Sequence, residues 1–145
     1  MSYCTTTDLI RRYGESDLIQ LTDRDGFTGA IVSDEIEAAQ ATAEAEIDGY
    51  LRDGGYDLPL AAIPQALIRH AVQLTYFYLF VGPRTQEAQA DYTASQNWLA
   101  RIAAGKEILP FPRTGEVAAI GSPAISTGST VFSDDRFSQF IRGRG

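Results

Sequence analysis

Cysteine is nearly absent from this chain of 145 residues: Cys4 stands alone, so no disulfide can form within one copy. That excludes a small disulfide-stapled scaffold and fits a reducing compartment. Tyr3 and Thr5 flank Cys4 and offer no activating base, so an inert thiol near a mobile terminus is the expectation. Histidine is equally scarce. His70 is the only one, and no Ser, Cys or carboxylate stands at a helical spacing from it that would make a catalytic dyad. No run is long enough for a membrane span, since the most apolar stretch, 71–81, is about half the length required. The N-terminus lacks the basic-then-apolar pattern of an export signal, and the chain is expected to be cytosolic when made. A phosphate-binding Gly-x-x-x-x-Gly-Lys loop and a Gly-x-Ser-x-Gly elbow are both missing.

Positive charge is also short. The net charge is −7, which argues against a duplex-binding module, because neutralising phosphates takes Lys and Arg. Residues 1–105 hold 15 acids and 7 bases, whereas residues 106–145 hold 4 acids and 5 bases. Between Asp34 and Asp57 there are eight acids and one base, Arg52. This is either a solvated helix face or an acidic wall that repels DNA, with Glu35, Glu37, Glu44, Glu46 and Asp48 as its members.

What is present is helical periodicity. Thr5 to Asp8 supply caps for a short helix carrying Leu9, Ile10 and Tyr13, closed by Gly14 in a left-handed conformation. Ser16 and Asp17 start a second short helix. Ser33 caps a third, whose apolar positions Ile36, Ala39, Ala43, Ile47, Tyr50 and Leu51 recur every three or four residues. Pro64 opens a fourth that is apolar on all sides from Leu67 to Val81 and is stopped by Gly82-Pro83. Such a helix belongs at the centre of a bundle or between subunits, with Tyr76, Tyr78 and Phe80 as the candidate subunit contacts. Thr85 caps a fifth, with Ala88, Tyr92, Ser95, Leu99 and Ile102 facing inward, Trp98 beside them and Gly105 at its end. The expected fold is all-α: a bundle of five helices, two short and three long, over residues 1–105, followed by an extended C-terminal arm over 106–145. The arm holds three of the six prolines and five of the thirteen glycines. Val117–Ile120 and Thr130–Phe132 have the composition of short strands that pair with a neighbour.

Two local patterns bear on chemistry. Asp23-x-Asp25-Gly26 opens like a calcium loop, but the fifth position is Phe27 and the sixth Thr28, so the ligand and the turn glycine are missing; no metal and no cofactor are expected. In the arm, Phe132, Phe137 and Phe140 have the character of anchors and Arg136 and Arg142 of rim charges, since aromatics and arginines dominate interfaces. A segment of this kind either orders on a partner or folds back onto its own body.

Three stretches taken in order resemble a known family. They are Asp8-Leu9-Ile10-Arg11-Arg12-Tyr13-Gly14 with Leu18 to Gly26, then Ala45 to Leu51 with Tyr56-Asp57-Leu58-Pro59-Leu60, then Phe132-Ser133-Asp134-Asp135-Arg136-Phe137 with Phe140. Together they resemble the Mu-like prophage head–tail joining family of tailed phages. Many of its members have a more acidic loop where this chain has Phe27-Thr28-Gly29. The resemblance implies a helical adaptor, not an enzyme, that forms a ring of about twelve copies. Such a ring sits below the portal protein, joins the capsid to a tail-side neck or tail terminator protein, and continues the DNA channel. The alternative, from another class, is a small cytosolic binding or regulatory module whose C-terminal tail folds on a host protein.

Overall fold

The computed structural model describes residues 2–113. The fold is all-α, with the expected two short and three long helices: α1 (Thr6–Tyr13), α2 (Glu15–Thr22), α3 (Ser33–Asp53), α4 (Gln65–Leu79) and α5 (Gln86–Ala103). No strand is found among the described residues, only an isolated antiparallel bridge between Tyr56 and Arg113. The strand-like stretches 117–120 and 130–132 lie outside the described residues.

Helix α4 is the axis of the bundle. It packs on α3, α5 and α1, while α3 also meets α5 and α2. Its all-round apolar character follows from having three neighbours. Leu67, Ala71, Leu74 and Leu79 are buried, as are the polar Gln73 and Thr75. Most of the expected stripes are buried, Ile36, Ala39, Ala43, Ile47 and Leu51 on α3 and Ala88, Ser95, Leu99 and Ile102 on α5, while Tyr50 and Tyr92 are only half-buried. Each fully buried leucine or isoleucine contributes about 1.5–3 kcal/mol through removal from water. The three long helices run antiparallel in sequence. Arg24 reaches both Glu35, at the start of α3, and the Leu79 carbonyl, at the end of α4.

Several helix ends differ from expectation. Thr5 and Asp8 do form a reciprocal capping box on α1. Gly14, however, is not left-handed helical: φ is +89° and ψ 150°, which turns the chain so that α2 begins at once at Glu15. Ser33 does not cap α3. Val32 holds that place without a side-chain bond, and its N–H donates instead to Thr22 Oγ1 at 3.0 Å, locking the end of α2 to the start of α3. Helix α4 stops at Leu79, short of Val81. Its last carbonyls accept from arginines, Leu79 from Arg24 and Phe77 from Arg84, which caps the helix from outside. Thr85 caps α5 as expected, accepting from the Ala88 N–H at 3.1 Å.

The chain keeps packing beyond Gly105. Leu109 is buried, Phe111 lies against the core, and the Leu109 N–H donates to Tyr56 Oη at 2.9 Å. This segment packs beside Tyr56, just past the end of α3. A Cβ on Gly54 would lie 2.9 Å from the Ile102 carbonyl oxygen, so only glycine fits there. The N-terminus is also anchored rather than mobile: Tyr3 and Cys4 are buried, and Tyr3 Oη donates to Asp48.

Candidate functional site

The five acids expected to form one strip divide between two flanks of α3. At about 100° per residue, Glu35 and Glu46 lie on one side of the buried stripe and Glu37, Glu44 and Asp48 on the other. Their partners follow that division. Glu35 pairs with Arg24 at 3.0 Å. Glu46 is turned inward: Oε2 accepts from Tyr78 Oη of α4, and Oε1 accepts from Gln96 Nε2 of α5 at 2.9 Å. The Tyr92 hydroxyl completes this cluster, 3.4 Å from that of Tyr78. Burial, then the bond to the Glu46 carboxylate, push the Tyr78 phenol far above its ordinary range. Glu46 thus ties three helices together. Asp48 is half-buried, taking the Tyr3 hydroxyl and lying 4.0 Å from Arg52. Glu37 is exposed and Glu44 partly so, and neither makes an ion pair among the described residues.

Tyr76, Tyr78 and Phe80 each have partners within the chain. Tyr76 stacks on Tyr13 with centroids 3.6 Å apart and meets Phe80 edge-on at 5.1 Å. All three keep a partly exposed edge at the last turn of α4 and just beyond it. Among the described residues, the large apolar side chains that are openly exposed are others: Phe27 (88%), Val81 (73%) and Ile108 (67%). The arm residues Phe132, Arg136, Phe137, Phe140 and Arg142 lie outside the described residues.

His70 has a serine partner that helical spacing could not reveal, because it comes from the next helix. Its Nδ1 lies 2.9 Å from Ser95 Oγ, and Ser95 Oγ donates to Gln73 Oε1 at 2.8 Å. The only visible signal was two polar residues, Gln73 and Ser95, on inward stripes of adjacent helices. Since Ser95 gives its hydrogen to Gln73, Nδ1 of neutral His70 is the donor between the two. Ser95 is fully buried and its proton is committed, so it cannot act as a nucleophile toward an external substrate. The pair is a clasp between α4 and α5, covered by Trp98 stacked 4.3 Å from the imidazole.

Burial, then the nearby Arg69 and Arg101, lower the His70 pKa from 6.5 to about 4. The folded chain therefore favours neutral imidazole, and between these values the unfolded chain binds the extra proton. Stability is complete above pH 6.5 and falls as the pH drops toward 4. The loss is on the order of 1–2 kcal/mol, allowing for the partial exposure of the ring. Urea melts at pH 7 and pH 4.5 check this: His70→Gln should flatten that part of the pH profile, and an unchanged profile would remove His70 as its source.

The other candidate groups are occupied locally. Asp23 turns its carboxylate onto its own loop, accepting N–H from Gly29 at 2.8 Å and Thr28 at 3.2 Å, and these bonds hold its pKa below the ordinary value. Cys4 is buried against Thr75, and burial raises its thiol pKa. No helix of the described residues is long and apolar enough to cross a membrane.

Comparison with known proteins accounts for most of the chain. Residues 3–126 match the family model described as Bacteriophage Mu, Gp36. Gene product J of Escherichia phage Mu is 35% identical over 106 residues, which span 73% of this chain and 74% of that protein. The Mu-like prophage FluMu protein gp36 of Haemophilus influenzae is 32% identical over 106 residues, spanning 71% and 72%. An all-helical body knit together by its own polar clasps, matched over this length, belongs to the bacteriophage Mu Gp36 family.

Proposed function

We propose that this chain is a structural head–tail connector of a tailed phage. Copies form a ring of about twelve below the portal protein, bind a tail-side neck or terminator protein, and continue the DNA channel. They assemble in the host cytoplasm and remain in the neck of the virion. The observation that carries the reading is membership of a phage Mu protein family, joined to the sequence resemblance to head–tail joining proteins. The bundle suits the role. Polar groups such as Glu46 and Ser95 hold its helices together, which gives a stiff body for side-by-side packing, and the edges of Tyr76, Tyr78 and Phe80 are available to the adjacent copy.

Within this reading the acidic wall is the flank holding Glu37, Glu44 and Asp48. Exposed carboxylates along a channel repel phosphates and keep DNA from adhering. Among the described residues, Glu37 and Glu44 are its unpaired members; Asp48 is half-buried on Tyr3, and Glu35 and Glu46 lie on the other flank, paired with Arg24 and with Tyr78 and Gln96. The segment with Phe132, Arg136, Phe137, Phe140 and Arg142 acts as the docking end of each arm. Many weak arms in one ring make a firm joint through high effective concentration.

Deleting residues 131–145 tests the arm. The truncated chain should keep its helical circular dichroism, while full heads and finished tails accumulate unjoined. Normal virion yield from that truncation would refute it. Glu37→Lys with Glu44→Lys, assayed in the same particles, should slow DNA packaging or ejection; unchanged DNA transit would remove the lumen assignment.

A further inference from the structure

A basic cleft is set into this acidic body. It has a volume of about 320 Å³ and lies between α1 and the first turns of α4, with Ile68 and Val72 as its floor and Arg11, Arg12 and Arg69 around it. Those three are a large share of the bases in residues 1–105. They are poorly compensated. Arg12 reaches Asp91 only at 3.4 Å, and Arg11 and Arg69 make no salt bridge among the described residues. Asp8, also at the cleft, is held by Thr5 in the capping box, accepting its N–H at 2.9 Å and its hydroxyl at 2.8 Å. The start of α4 adds the positive end of a helix dipole. With three arginines against one carboxylate, the cleft favours an anionic ligand with an apolar side chain beside its charge.

The chain carries such a ligand in Phe132-Ser133-Asp134-Asp135-Arg136-Phe137, where two successive carboxylates stand between aromatics. We propose that the cleft of one copy receives the Phe132–Phe137 segment of a second copy. Phe132 would lie on Ile68 and Val72, and Asp134 and Asp135 would pair with Arg11 and Arg69. This rests on the ring reading above and names the joint between neighbouring copies. Position favours it. The cleft lies at the end of the bundle where α4 begins, and Arg113, the last described residue, is bridged to Tyr56 at the same end, just past α3. The 19 residues from Arg113 to Phe132 span up to about 60 Å when extended, twice the length of a 20-residue helix. A nucleic-acid strand is the weaker occupant, because the seven bases of residues 1–105 are too few to neutralise a run of phosphates, whereas the segment brings two carboxylates and its own Arg136.

Two populations of the full-length chain test this, one carrying Ile68→Cys and the other Phe132→Cys, mixed at high concentration and mildly oxidised. Cys4 is buried and serves as the background control. The expected product is a covalent dimer of the two populations, and a ladder of oligomers when both substitutions are on one chain. Arg11→Glu with Arg69→Glu should cut the dimer yield about tenfold, as should Asp134→Lys with Asp135→Lys, and the two reversals combined should restore it. These arginines are exposed, and circular dichroism checks that the variants fold. Absence of cross-linking overturns the proposal. So does a disulfide confined within single chains, or a failure of the combined reversal to rescue. DNA retained on the native chain and lost with Arg11→Glu and Arg69→Glu would reassign the cleft to nucleic acid. If truncation at 131 blocks head–tail joining but no cross-link forms, the cleft assignment alone falls. If truncation leaves joining intact, the arm's role in the connector falls instead.

Discussion

Glu46→Lys lowers the unfolding free energy by about 3 kcal/mol, the loss expected when two hydrogen bonds to a partly buried carboxylate are removed. Glu46 accepts from Tyr78 of α4 and Gln96 of α5, and so joins all three long helices at one point. A lysine there presents donors to donors. The Gln96 amide can turn its oxygen toward the ammonium, which is why the expected loss is not larger. Glu37→Lys, two turns and more away on the exposed flank, should change stability by no more than about 0.5 kcal/mol. Urea unfolding at neutral pH measures both. Equal midpoints would mean that Glu46 does not tie the bundle. A double-mutant cycle with Glu46→Ala and Tyr78→Phe should show coupling of about 1–2 kcal/mol, and additivity would contradict the bond. The outcome also bears on the channel. A reversal at Glu46 would stop assembly by loosening the fold, so only Glu37 and Glu44 report on DNA.

The role of Glu46 marks where the sequence stops being readable. Periodicity locates the stripe Ile36, Ala39, Ala43, Ile47 and Leu51 because burial of that face recurs with the turn of the helix. The Thr85 cap was legible for a similar reason, since its bond to Ala88 is local. A glutamate on the border of the stripe is different. Its environment depends on what α4 and α5 present, and the positions of Tyr78 and Gln96 come from the packing of three helices. The His70–Ser95–Gln73 clasp was hidden in the same way, though polar residues at inward positions hinted at it. Ser33 had the right chemistry for a cap but lost the place to Val32, because Thr22 on another helix supplies the oxygen. Leu109 and Phe111 sit in a proline-containing stretch with no periodicity, so nothing in their spacing shows that they pack on the core.

Leu74→Ala is expected to destabilise the isolated chain by about 3–4 kcal/mol, through lost transfer energy and the cavity left behind. Leu74 is fully buried on α4, facing neighbours that belong to the same chain. For a body of this size the loss should lower the melting temperature by on the order of 15 °C. Its dependence on concentration decides between the two settings that an all-round apolar helix allows. If α4 is the axis of a single-chain bundle, the midpoint of native chain and variant alike is independent of protein concentration. If the helix needs a second copy to cover it, the midpoint rises with concentration by mass action. Tyr76→Ala gives the contrast. It removes the stack on Tyr13 from a side chain that is already partly exposed, and it should cost less than half as much in the isolated chain. Any further loss that emerges only when copies assemble would then report on the exposed edge of Tyr76, where a neighbour would sit. With the arm removed at residue 131, a melting temperature for Leu74→Ala that still climbs with concentration would show that the core of this bundle is completed by another copy.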